Sequence, residues 1–73
     1  MVIRKISVGA DYKNAMNYIV GQTVLQDAYV INTIKFNGKC YEIWIQRNET
    51  AEIMKWKSYN ANMPISIEYN INF

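Results

Sequence analysis

The chain has no histidine, one cysteine, one proline and three glycines in 73 residues. Without histidine, the usual side chain for moving protons near neutral pH is missing, and so is the commonest metal ligand. Neither a Ser-His nor a Cys-His nucleophile can be assembled. The lone Cys40 rules out an internal disulfide and a thiolate metal cage. No apolar run approaches the length that spans a bilayer. The opening Met-Val-Ile-Arg-Lys-Ile also lacks the apolar stretch of a secretory signal. The expectation is a cytoplasmic protein with no membrane partner, no metal and no cofactor.

Charge of one sign is scarce too. Eight basic and six acidic residues give +2, scattered along the chain. That is too weak to argue by itself for nucleic acid or a membrane surface. Asp11, Asp27, Glu42, Glu49, Glu52 and Glu68 form no recognisable carboxylate pair. Cys40 beside Lys35 reads better as a small half-buried hydrophobe than as an activated thiol. The chain is therefore not expected to be an enzyme.

What the chain does have is apolar and aromatic bulk: 51% hydrophobic residues, with six Tyr, two Trp and two Phe. A chain this short hides only about 60–65% of its unfolded surface. A single domain over residues 1–73 is thus marginal, and self-association would add stability.

Asn37-Gly38 lies between two runs of strand-type residues, Tyr29–Phe36 and Lys39–Gln46, and is a strong hairpin signal. A two-residue turn there pairs Phe36 with Lys39, Ile34 with Tyr41, Asn32 with Ile43 and Val30 with Ile45. Those residues make one core face. Tyr29, Ile31, Thr33 and Lys35, across from Gln46, Trp44, Glu42 and Cys40, make a mixed one. Upstream, Val2, Arg4, Ile6 and Val8 share one face of a first strand. Asp11 then caps an amphipathic helix of Tyr12, Ala15, Met16, Ile19 and Val20, closed by Gly21. Downstream, Asn48 caps a second helix to about Tyr59, with acidic residues at its start and lysines at its end. Met63 to Phe73 alternates strictly and reads as a strand with one buried face. The order β-α-β-β-α-β is the ferredoxin-like arrangement: an α+β fold with a four-stranded antiparallel sheet and two helices on one face.

Two surfaces then stand out. The open sheet face would carry Lys5, Tyr29, Ile31, Lys35 and Trp44. Basic groups around an aromatic platform suit single-stranded nucleic acid, although Glu42 among them would repel phosphate. The same aromatics equally suit docking a second copy of the chain. The segment from Lys55 to Asn62 crowds Lys55, Trp56, Lys57, Tyr59, Asn60 and Asn62 into a helix-to-strand connection. Such a set can stack a base and hydrogen-bond its edges, or simply end a helix. Gly9-Ala10-Asp11 with Lys13 is a weaker anion site at a helix N-terminus.

The stretches Asp-Tyr-Lys-Asn-Ala-Met-Asn-Tyr-Ile-Val-Gly-Gln (11–22) and Trp-Lys-Ser-Tyr-Asn-Ala-Asn-Met-Pro-Ile-Ser-Ile-Glu-Tyr-Asn-Ile-Asn-Phe (56–73) resemble small accessory proteins of T-even-like bacteriophages. The resemblance implies an early phage protein that counters a host or anti-phage defence function. It would do so by stoichiometric binding of a host protein or a nucleotide-type signal. A homo-oligomer is expected, with single-stranded nucleic-acid binding through the open sheet as the alternative.

Overall fold

The computed structural model of the chain describes residues 2–9 and 14–70. Among these the structure is all β: β1 (Val2–Val8), β2 (Met16–Ile19), β3 (Thr23–Val24), β4 (Tyr29–Phe36), β5 (Cys40–Arg47), β6 (Ile53–Asn60) and β7 (Ile65–Asn70). They form a three-stranded sheet, β2-β1-β7, and a four-stranded sheet, β3-β4-β5-β6. The α+β, ferredoxin-like expectation is therefore wrong, since none of the described residues is helical.

Both expected helices fail for local reasons. The cap at Asp11 and the residue Tyr12 lie outside the described residues. The next part of the expected helix, Met-Asn-Tyr-Ile, is strand β2, and its aromatic and β-branched residues fit a pleated surface better than a helix. In the second case, Asn48, Glu49 and Thr50 do turn chemistry instead of capping. The Asn48 Nδ2 group donates to the Asp27 carbonyl at 2.6 Å, and the Arg47 N–H donates to the Glu52 carbonyl at 2.8 Å. These residues close the β5–β6 hairpin, because Asn and Thr serve turns as readily as helix starts.

The first and last described strands, β1 and β7, pair antiparallel from Val2↔Asn70 to Val8↔Ile65. The two sheets connect at a corner where the Val20 N–H donates to Arg4 O and the Gly21 N–H donates to Ile31 O, at 2.9 and 2.8 Å. Gly21 has φ +97° there, a left-handed conformation that glycine adopts without steric cost. The second corner runs through Ala61–Pro64.

The central hairpin exists, but its register differs from the sequence reading. Phe36 pairs with Tyr41 and Ile34 with Ile43. Asn37 N–H donates to Cys40 O at 3.0 Å, so the two turn residues are Gly38 and Lys39. Asn37 Oδ1 accepts from both Lys39 N–H and Cys40 N–H, which moves the asparagine to the turn's entry. A bulge between Ile31 and Thr33 then changes which face the earlier residues point to. Ile31, expected on the outer face, is 1% exposed and part of the core. A similar irregularity between Ile3 and Lys5 turns Ile3 inward with Ile6 and Val8.

The core lies between the sheets. Ile3, Ile6, Val8 and Tyr18 come from the smaller sheet, and Ile31, Ile34, Ile43 and Ile45 from the larger one. Full burial of one such isoleucine contributes about 1.5–3 kcal/mol, so a few of these positions decide whether so short a chain folds.

Candidate functional site

The outer face of the larger sheet carries a closed polar network. Lys35 and Glu42 are cross-strand partners, as are Thr33 and Trp44, and Trp44 and Lys55. Lys35 Nζ sits 4.5 Å from the Trp44 ring centroid. Glu42 accepts from Asn37 Nδ2 at 2.9 Å and from Trp44 Nε1 at 3.1 Å, and Lys55 Nζ lies 3.8 Å away. The hydrogen bonds from Asn37 and then Trp44, with the lysine charges behind them, hold the Glu42 carboxyl below its usual range. Beside this network Thr33 Oγ1 donates to Asn32 Oδ1, and Asn32 Nδ2 donates to Gln46 Oε1.

Of the expected open-face residues, the structure brings only Lys35 and Trp44 together. Ile31 is buried, and Tyr29 packs against the core with Arg47 beside its ring. Lys5 lies in the other sheet. There it lines a groove of about 560 Å³ with Ser7, Asn17, Ser66 and Glu68.

Lys55, Trp56, Lys57, Tyr59 and Asn60 belong to strand β6 and Asn62 to the turn after it, so no helix end gathers them. Lys55 reaches outward to Glu42. Trp56 and Tyr59 pack against the core. Trp56 meets Tyr18 edge-on with centroids 5.9 Å apart, and Tyr18 and Tyr59 share a hydroxyl hydrogen bond. Lys57 Nζ lies 5.0 Å from the Trp56 ring centroid. Asn60 Oδ1 accepts from the Asn62 N–H at 2.8 Å. Trp56 and Tyr59 thus bridge β6 to Tyr18 of β2. Of the weaker anion site, Ala10, Asp11 and Lys13 lie outside the described residues.

A third surface is mainly apolar and borders that network at Thr33 and Lys35. Val2, Phe36 and Tyr69 are 64%, 49% and 44% exposed. With Ile3, Thr33, Ile34 and Lys35 they line a shallow groove of about 400 Å³ where the end of β4 meets β1 and β7. The Phe36 and Tyr41 rings stack with centroids 4.8 Å apart, which holds Phe36 in place. Clustered exposed apolar groups of this kind mark interaction surfaces. Sequence reading missed this site because it assigned Phe36 and Tyr69 to buried strand faces. The available signal was position: each stands near the end of its strand.

Among the described residues, no group of His, Cys, Asp and Glu is placed to hold a metal ion. Among them, too, no helix is long and apolar enough to cross a membrane. No family model, curated protein or solved structure matches the chain, and the phage and anti-defence reading finds no support there.

Proposed function

We propose that the chain is a non-catalytic binding protein that engages a protein partner stoichiometrically through the groove of Val2, Phe36 and Tyr69. One observation supports this above the others: three large apolar side chains, each more than two-fifths exposed, converge on a single groove. Among the described residues, Lys35 is the only charged one lining it. The matching partner presents an apolar side chain with a carboxylate beside it. The apolar group fills the groove and the carboxylate meets the lysine. An exposed aromatic held by a neighbouring ring loses little entropy on docking, which suits it as an anchor.

The test is photo-crosslinking in the native cell with a benzophenone amino acid at position 36, against the same probe at Leu25, which is 48% exposed elsewhere. One discrete heterologous protein adduct is expected from position 36, absent at position 25 and lost in a Val2→Ser, Tyr69→Ser background. The same adducts at both positions, or none at position 36, would contradict the proposal.

A further inference from the structure

We infer that β7 is a self-pairing edge, joining two copies of the chain into one continuous sheet, β2-β1-β7-β7-β1-β2. This contact runs along the backbone edge of β7, shares Tyr69 with the groove of Phe36, and would make the binding protein a dimer.

The sheet edges differ in how well they are protected. An exposed strand edge templates pairing with another chain, and proteins blunt such edges with short strands, lysines or bulges. Among the described residues, β2 has four residues and β3 two. β6 carries Lys55 and Lys57 and a register break between them. The part of β4 beyond β3 carries Lys35 and the bulge after Ile31. β7 lacks the short length, the lysines and the bulge, and its one charge is Glu68. It is six residues long, its sequence Ile-Ser-Ile-Glu-Tyr-Asn has no cation, and the register break in its ladder falls on β1. Among the described residues its one strand neighbour is β1.

The free edge is also complementary to itself. The Gly9 N–H donates to the Pro64 carbonyl at 2.9 Å, so residue 64 points its backbone at β1. Backbone direction alternates along a strand, which leaves Ile65, Ile67 and Tyr69 facing the open edge. Two antiparallel copies centred on Ile67 then pair Ile67 with Ile67, Ile65 with Tyr69, and Ser66 with Glu68. Apolar residues meet apolar ones, and the one acidic residue meets a hydroxyl that can donate to it. No like charges stand opposite each other. Glu68 is also partnered by Arg4 of its own chain, which lowers repulsion between the two glutamates.

Ser66 gives the discriminating variants, because it is exposed and meets Glu68 twice across the two-fold. Sedimentation equilibrium of the full chain should show a monomer–dimer equilibrium. Ser66→Glu should weaken it about tenfold or more, and Ser66→Lys should tighten it comparably. The amides of Ile65, Ile67 and Tyr69 should exchange more slowly as concentration rises, with circular dichroism unchanged in both variants. A wild-type chain that stays monomeric would overturn the inference. So would a dimer that ignores both substitutions, even if crosslinking at position 36 succeeded.

Discussion

The Tyr18 and Tyr59 hydroxyls share a hydrogen bond across the gap between β2 and β6, edge strands of different sheets. Burial first, and then the bond to Tyr18, push the Tyr59 phenol up from 10.0 to about 12. A folded-state value above the unfolded one means the contribution is complete below pH 10 and is lost as pH rises through about 12. An ultraviolet titration should show a tyrosine ionising near pH 12. Tyr59→Phe should remove that step and flatten the loss of stability in alkali.

Glu42 gives the opposite dependence. Its carboxyl is held below the ordinary 4.5 by hydrogen bonds from Asn37 and Trp44. Its contribution is therefore present above pH 4.5 and lost as pH falls through the lower, folded-state value. Urea midpoints measured at neutral pH and again below pH 4 should differ less in Glu42→Gln than in the wild type. An equal acid loss in both proteins would show that the network on the outer face is energetically idle.

The fold class was not legible in the chain, which reads as α+β where the structure is all β, and the failures have identifiable causes. The alternation from Ile65 to Asn70 follows from period-two patterning and the structure contains it; the hairpin follows from Asn37-Gly38, but its turn falls one residue later than that dipeptide implies. The inward turn of Ile31 was not legible, because the bulge after it adds a residue that no local composition announces. The helix expected over 48–59 failed because Asn48, Glu49 and Thr50 satisfy cap and turn patterns alike. Only pairing with β5 decides between them, and that is a non-local fact. The Phe36 groove was hidden for a related reason: alternation says which face a residue takes but not whether the strand's end is covered.

Ala51 sits in the β5–β6 turn at φ +60°, where an L residue with a Cβ carries a steric penalty. Ala51→Gly should raise stability by about 0.5–1 kcal/mol, the relief exceeding the added entropy of the unfolded chain. The urea midpoint reads this directly, and no change or a decrease would argue against the left-handed turn.

Ile43 is 0% exposed at the centre of the larger sheet. Ile43→Val should cost about 0.5–1.5 kcal/mol and Ile43→Ala about 2–5 kcal/mol. In a domain of this size the larger loss should leave a substantial unfolded fraction at 37 °C, visible by circular dichroism.

Residues 53–60 form a strand beside β5, and that pairing places Trp56 and Tyr59 against Tyr18. Glu42 and Ser58 are direct cross-strand partners. The decisive measurement is the nuclear Overhauser spectrum of the labelled chain. A strong Hα–Hα cross-peak between Glu42 and Ser58, with extended chemical shifts over 53–60, is the predicted result. Helical shifts over those residues, with sequential amide–amide contacts and no such cross-peak, would contradict it.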